Sequence, residues 1–387
     1  MVAAVATREE LLHWLALRLT PGLGARKCGQ LLERFRTPEK IFRASRSELE
    51  AAGLAGSVAQ SISSGCAFED AATQQEKALE TGAEILPLTD ARYPARLREI
   101  FDPPVVLFAR GRLELLQRQM LAIVGTRHPT PYGMAVAERL ASDLARAGLV
   151  IASGMARGID TGAHRGAMAA TADTVAVFGC GVDLVYPSEN RKLASELADK
   201  ALIISEFPVG APAYPQNFPI RNRIISGMSL GVLVVEGTQY SGSAITARLA
   251  MDQGREVFAV PGNITSATSW GPNLLIKQGA KLVQEWNDVI VELAPEERRR
   301  LIDRGKSRLL SEDGAAQPEQ TTLPLGPSEG IGRAILEILT PDVPIHIDDL
   351  LDRLDQYSSS EMIAVLFELE MLGLVRQLPG KNFVKVW

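Results

Sequence analysis

Short segments rich in glycine and small polar residues recur through this chain, each directly after an apolar run. They are Gly125-Thr126-Arg127, Ser153-Gly154-Met155, Gly179-Cys180-Gly181, Ser205-Glu206, Glu236-Gly237-Thr238 and Pro261-Gly262-Asn263. A glycine lets a bound group approach the backbone closely, and the free amides at the start of a following helix suit an anion. The Arg127 guanidinium adds a fixed fork able to grip phosphate oxygens through two parallel hydrogen bonds. An ion pair with Glu206 or Glu236 is the competing use of that side chain. A second cluster, Phe218-Pro-Ile-Arg-Asn-Arg223, follows an irregular Pro-rich stretch and gathers Arg221, Asn222 and Arg223. Asn222 can donate and accept, while Phe218 or Tyr214 can stack on a base or simply pack beneath the loop. These residue types are suited to tracking a phosphate backbone.

Other chemistries find less support. Gly179-Cys-Gly-Val-Asp-Leu184 places Leu184 where a dinucleotide fingerprint needs its third glycine. Gly305-Lys306-Ser307 imitates the end of a P-loop, but Arg300 stands at the first required glycine and no strand precedes it. His13, His128, His164 and His346 are scattered, and Cys28, Cys66 and Cys180 form no Cys-x-x-Cys pair, which argues against a metal site or a disulfide framework. Asp160 and Glu236 could form an acid/base pair, yet no nucleophile with an orienting partner accompanies them. No catalytic residue, metal or cofactor is expected.

The elements that must hold these residues can be read from periodicity. The runs Leu121–Val124, Leu149–Ala152, Thr174–Phe178, Ala201–Ile204, Val232–Val235 and Val257–Val260 are too apolar to have a solvated face, so they predict central strands. Helical patterns alternate with them, the signature of an α/β fold with a parallel sheet. Ligands of such sheets bind beyond the carboxyl ends of the strands, where the glycine-rich segments fall. A helix is predicted from Pro131 to Ala147, with Thr130 as N-cap, and another near Ser243 to Gln253.

The segmentation predicts a small all-α domain over 1–70, an α/β domain over 71–299, a linker over 300–327 and a terminal domain over 328–387. The first contains the turns Thr20-Pro-Gly-Leu-Gly24 and Ala52-Gly-Leu-Ala-Gly56 between helices, which can present helix-start amides to a phosphate or serve as plain hairpins. The last reads helix, helix, helix, then two strands about Leu378-Pro-Gly-Lys381, the order of a winged helix.

Net charge is −5 over 387 residues, an objection to any nucleic-acid binder because phosphate neutralisation supplies much of the affinity. Distribution answers part of it. From Ser328 to Trp387 five Lys/Arg face ten Asp/Glu, so the remainder of the chain is neutral, and from Leu11 to Ser47 eight Lys/Arg face two Asp/Glu. The first residues lack the pattern of a signal peptide and no segment is long and apolar enough to span a membrane, so a reducing cytoplasm is expected.

Val124-Gly-Thr-Arg127, Ser153-Gly-Met-Ala-Arg-Gly-Ile-Asp160 with Ala163-His164, Gly179-Cys-Gly181 with Tyr186-Pro187, Ser205-Glu-Phe-Pro208, Phe218-Pro-Ile-Arg-Asn-Arg223, Ser241-Gly-Ser243 with Thr246, and Ala259-Val-Pro-Gly262 resemble, in order, the motifs of the DNA-processing protein A family. The resemblance spans most of residues 86–295. It implies an extended Rossmann-like domain that binds single-stranded DNA, forms a homodimer and helps load the RecA recombinase during natural transformation, with no enzymatic activity. By the same resemblance Gly125, Thr126 and Arg127 would contact DNA phosphates together with the arginines of Phe218–Arg223. Ser153, Gly154, Gly179, Gly181, Ser241 and Gly242 would shape the pocket, and Lys277 would be a further basic contact. Ile220 and Tyr240 stand where extra positive charge would have strengthened the groove. The recognition-helix position of the tail, Glu361 to Glu370, has three glutamates and no cation, which points to protein contact rather than to a DNA groove. Related folds such as cytokinin-activating phosphoribohydrolases hold a mononucleotide at similar mouths. They carry Pro-Gly-Gly-x-Gly-Thr where this chain has Val235-Glu-Gly-Thr-Gln-Tyr-Ser-Gly-Ser243, so a nucleotide-binding sensor or nucleotide-processing enzyme is the alternative.

Overall fold

The structure, a computed structural model, describes residues 6–239, 241–301, 329–340, 344–354, 356–371, 374–378 and 380–385. Residues 302–327 of the expected linker, which include the Gly305-Lys306-Ser307 segment, and Tyr240 lie outside them; residues 300 and 301 are helical. The chain forms two compact units, Met1–Leu310 and Ser311–Trp387.

The first unit opens with six helices: α1 (Arg8–Leu19), α2 (Ala25–Phe35), α3 (Pro38–Arg43), α4 (Arg46–Ala51), α5 (Gly56–Ser64) and α6 (Phe68–Glu80). Thr7 with Glu10 and Ser45 with Glu48 make reciprocal capping boxes that fix the starts of α1 and α4. The turn into α2 needs a left-handed residue, supplied by Gly22 at φ 76°. Two cations of the basic stretch serve the helices themselves. Lys27 Nζ donates to Gly53 O (3.0 Å) and Arg34 Nη1 to Ala51 O (3.0 Å), closing the carbonyl end of α4. Helix α6 packs on α1, so the residue-70 boundary expected from the sequence falls inside a helix of this array.

One apolar cluster runs from Leu15, Leu31, Ile41 and Ile62 of these helices into Val106, Phe108, Ala176 and Ile203 of the sheet. The array is thus fastened to one sheet face. Gln74 of α6 adds a reciprocal polar clamp, donating to Val209 O (3.2 Å) and accepting from Val209 N–H (2.9 Å).

The sheet holds nine strands: β1 (Glu84–Pro87), β2 (Val106–Gly111), β3 (Met120–Val124), β4 (Val150–Ser153), β5 (Thr174–Val177), β6 (Leu202–Ser205), β7 (Gly231–Val234), β8 (Glu256–Ala259) and β9 (Lys281–Leu282). Their order is β1-β2-β6-β5-β4-β3-β7-β8-β9. Strands β3 to β9 pair in parallel, and β1 and β2 extend the β6 edge in antiparallel register. The six predicted strands match β3 to β8 to within a residue.

Helices cover both faces. Those between strands are α7 (Ala95–Arg98), α8 (Pro131–Arg146), α9 (Ile159–Ala170), α10 (Arg191–Lys200), α11 (Asn217–Gly227), α12 (Gly242–Asp252) and α13 (Trp270–Lys277), and α14 (Trp286–Glu292) follows β9. Alternate residues of β3 enter different cores: Leu121 and Ile123 face α8 and α9, whereas Ala122 and Val124 share a core with residues of α11 and α12. The chain runs from β3 toward β6 on one side and returns to β7 on the other. That reversal opens a crevice beyond the carboxyl ends of β3 and β7.

The second unit comprises α15 (Glu329–Ile338), β10 (Ile345–His346), α16 (Ile347–Arg353), α17 (Ser359–Met371), β11 (Val375–Leu378) and β12 (Asn382–Lys385). Its sheet order is β10-β12-β11, and Ile335, Leu350, Met362 and Phe383 form its core. This is a winged helix. Among the described residues no helix is long and apolar enough to cross a membrane.

Candidate nucleic-acid interface

The crevice is a cleft of about 580 Å3. Its walls come from the β3–α8 loop (Val124–His128), one face of α11 (Phe218, Arg221, Asn222, Ile225) and the first turns of α12 (Ser241–Ser243, Ile245, Thr246), with Tyr186 and Ala156 beside them. The elements explain the placements. Thr130 caps α8 by accepting from Gly133 N–H (3.1 Å), which holds the preceding loop at the mouth. Thr126 N–H donates to Glu236 O at 2.7 Å and Thr126 O accepts from Ile159 N–H, so the loop is tied to the ends of both β7 and α9.

Arg127 is exposed and has no ion pair among the described residues; its guanidinium sits 5.7 Å from the Phe218 ring centroid. Its two alternative partners are engaged elsewhere. Glu236 accepts from Thr130 N–H (2.9 Å) and Thr130 Oγ1 (2.6 Å), and Glu206 binds Arg223.

Arg221 forms the floor. It is 4% exposed, and neither its Nε nor its Nη1 has a hydrogen-bond partner. Burial pushes its pKa down to about 10, with the nearby Asp160 pulling up and Arg127 pushing down, so it stays charged at neutral pH. A buried cation with idle donors is costly unless something anionic completes it. Asp160 is not that group alone, since its carboxylate already accepts from Gly154 N–H (3.1 Å) and Ala156 N–H (3.3 Å). Burial raises the Asp160 pKa against the pull of Arg221.

Aromatic surface flanks the cations. The rings of Phe218 and Tyr186 lie 5.4 Å apart, and Arg221 is 6.0 Å from the Phe218 centroid. Tyr186, legible in the sequence only as part of a family motif, is 46% exposed. Tyr214 is exposed and does not line the cleft. Ser241 caps α12, its Oγ accepting from Ala244 N–H (3.3 Å) and meeting Ser243 Oγ at 2.8 Å. The first amides of that 11-residue helix have no intrahelical partner and form the positive end of its dipole.

Beside the close approach of a bound group read from the residue types, several of these glycines have protein groups where a Cβ would stand. A Cβ on Gly154 would overlap the Arg221 guanidinium, one on Gly179 would sit 2.9 Å from Phe218 Cδ1, and one on Gly125 would sit 2.5 Å from Ile159 Cγ1. Gly181 is hemmed in by Asp183 and by Gly210 N (2.8 Å). Their missing side chains make room for protein groups that build the cleft, and of the expected glycines Gly242 faces open space. Ser153 lies below as well, buried, with Oγ donating to Ile123 O at 2.6 Å.

Two expected contacts stand apart. Arg223 is turned away from the cleft, with Nη2 2.6 Å from Glu206 Oε2 and Nε 3.1 Å from Asp102 Oδ2. Lys277 is exposed at the end of α13 and lines no part of the cleft. Asp160 and Glu236 do not face each other as an acid/base pair; one ties down the loop after β4 and the other the start of α8.

Residues 84–294 match the family model described as DNA recombination-mediator protein A. The chain belongs to that family. Residues 317–381 match the DprA winged helix domain. The DNA processing protein DprA of Bacillus subtilis is 45% identical over 215 residues, covering 55% of this chain and 72% of that one. Protein Smf of Escherichia coli is 38% identical over 299 residues, 76% of each chain. The X-ray structure of DprA from Streptococcus pneumoniae superposes with a TM-score of 0.66 at 34% identity, covering 73% of this chain and 98% of that one. Most of the DNA recombination-mediator motifs read from the sequence fall at the strand mouths that surround the cleft or in the loops that brace it.

Proposed function

We propose that this chain is a single-stranded DNA-binding recombination mediator, and that the cleft between β3 and β7 receives the strand. The observation that carries this is the pairing of an exposed Arg127 with a buried Arg221 whose donors are idle, next to the ring pair Phe218–Tyr186. Phosphate oxygens would complete Arg221, with Arg127 and the first amides of α12 taking adjoining charge. Unpaired bases would lie against Phe218 and Tyr186. Bases held in a duplex have their faces stacked on one another, so the aromatic wall favours a single strand. Gly125, Thr126, Asn222, Ser241 and Gly242 line the path, and Ser153, Gly154, Gly179 and Gly181 shape it from below.

Family membership supports the rest of the reading: a homodimer in the cytoplasm that protects incoming single strands and loads RecA on them during natural transformation, without a catalytic step of its own. Unchanged recombinase loading on protein-coated single strands when the chain is added would remove the loading role.

Fluorescence anisotropy with a labelled oligonucleotide, single strand against duplex, tests the cleft. Wild type is expected to prefer the single strand, to weaken with salt by about 0.7 log units per log unit of salt for each phosphate neutralised, and to lose most of its affinity as Arg127→Ala. Equal binding by both proteins, with saturable AMP binding in calorimetry, would move the assignment to a nucleotide sensor.

A further inference from the structure

Helix α11 carries Arg221 into the cleft on the face formed by Phe218, Arg221, Asn222 and Ile225, and it is fastened from elsewhere at three points. Asn217 Nδ2 donates to Gly179 O (3.0 Å) at its start, and Ser226 Oγ donates to Gln253 Oε1 (2.6 Å) near its end. Between them Arg223 reaches two carboxylates, Glu206 and Asp102. Arg223 and Glu206 are buried, and the Asp102 side chain is 37% exposed. Arg223 is therefore clasped at one end by the β6 mouth and at the other by the Phe101–Pro104 loop.

That loop is itself held. Tyr93 Oη donates to Pro104 O (2.8 Å), and Phe101, 74% exposed, lies beneath the Arg26 guanidinium of α2 at 4.8 Å. A continuous set of contacts thus leads from the N-terminal helices through Phe101 and Asp102 to the helix that aims Arg221. Stability alone is a poor reason for the clasp, because well-packed apolar residues of like volume generally serve a buried position as well as an ion pair does. Orientation is a better one: two carboxylates on different elements fix both the rotation and the depth of α11.

Resting on the proposal that the cleft binds single-stranded DNA, we infer that Asp102, Arg223 and Glu206 form a positioning clasp that aims Arg221 at the strand and couples the N-terminal helical array to the affinity of the cleft. Arg223 does not touch DNA in this arrangement. The sign of one effect separates the clasp from simple electrostatics. Removing the negative charge of Asp102 makes the local field more favourable to phosphate and would strengthen binding if charge alone mattered. The clasp requires the opposite.

The test is anisotropy titration of a labelled oligothymidylate on full-length wild type, Asp102→Asn, Asp102→Glu, Phe101→Ala, Arg221→Met and the double variant Asp102→Asn/Arg221→Met, with thermal unfolding run on each. Asp102→Asn is expected to weaken binding by about threefold to tenfold at an unchanged unfolding midpoint, and Phe101→Ala to weaken it less. Asp102→Glu, which keeps the carboxylate, should recover most of the loss, and the double variant should bind no more weakly than Arg221→Met. Unchanged or tighter binding by Asp102→Asn overturns the clasp, as do losses that multiply in the double variant. If Arg221→Met itself binds like wild type, the cleft reading fails first and the clasp falls with it.

Discussion

A methyl group at residue 154 tests the cleft without removing any of its cations. Gly154 is not in the left-handed region, so alanine suits its backbone, but the new Cβ would overlap Arg221 Nη1 and lie 2.6 Å from Nη2. The guanidinium is the free end of a flexible side chain, so it must yield before the backbone does. Its displacement takes away the donors proposed to meet phosphate. One charge-assisted hydrogen bond contributes about 1.5–3 kcal/mol, so Gly154→Ala should weaken single-strand binding roughly 10-fold to 100-fold. The dependence of log K on log salt should flatten by about 0.7, one phosphate's worth. Stability should drop by about 1–3 kcal/mol from local overpacking, leaving the chain folded. Anisotropy at several salt concentrations measures the first two and denaturant unfolding the third. Arg221→Met should reproduce the binding loss, and the double variant Gly154→Ala/Arg221→Met should add little to it, because the methyl then meets a displaceable, uncharged neighbour. A folded Gly154→Ala chain that binds with wild-type affinity and salt slope would refute the assignment of Arg221 to the strand.

Four further outcomes follow from the same geometry. Phe218→Leu should keep the Arg127 and Arg221 charges but weaken single-strand binding by about 1–3 kcal/mol with an unchanged salt slope, as read by the same titration. Glu236→Gln should lower stability in chemical denaturation by about 1–3 kcal/mol, since its carboxylate takes both the amide and the hydroxyl of Thr130 and the amide substitute can satisfy only one of them in the same way. His164 is fully buried and its pKa is pushed by burial from 6.5 to about 3, helped by Arg221, so the unfolded chain binds one more proton than the folded chain between those values. Stability should therefore fall with acid by about 1.4 kcal/mol per pH unit below about 6.5, and His164→Leu should remove that part of the slope in pH-dependent unfolding. The winged-helix unit expressed alone should show no binding to a 20-base-pair duplex at about 150 mM salt, because its recognition-helix position carries no Lys or Arg; clear binding would restore the DNA-groove role.

The sheet was legible where both of its faces are buried. Strands β3 to β8 read as unbroken apolar runs because helices cover them on each side, as the two cores that share alternate β3 residues show. The edges were not. Strand β1 ends at Pro87, β9 has two exposed residues, and β2 pairs antiparallel beside β6, so none carries the signature of a central parallel strand. The cations of α11 show what a misread element costs. Pro215 and Pro219 made the segment look irregular, yet a proline in the first turn of a helix is tolerated, and α11 begins at Asn217. Once the segment is a helix, residues 221 and 223 point about 200° apart and cannot share one wall. The glycines misled in a subtler way. Composition shows that a Cβ is absent and not which atom occupies its place, and here Arg221, Phe218 and Ile159 occupy three of those places.

The net charge of −5 then ceases to be an objection, because the acids near the cleft are committed to partners. Asp160 is bound by two loop amides, Glu236 by the start of α8 and Glu206 by Arg223. Each carboxylate fixes an element that presents a cation or an amide to the cleft, so the acids organise the positive site instead of cancelling it. Arg127 and Arg221 are the arginines among the described residues that line the cleft, and Arg221 is nearly dry. Coulomb interactions strengthen as water is excluded, so one buried guanidinium can do what a broad basic surface does elsewhere. Affinity built this way depends on aim more than on charge count. With the strand in the cleft as proposed, affinity should respond more to Gly154, Asp102 and Gly179, which do not line the cleft, than to surface lysines such as Lys277.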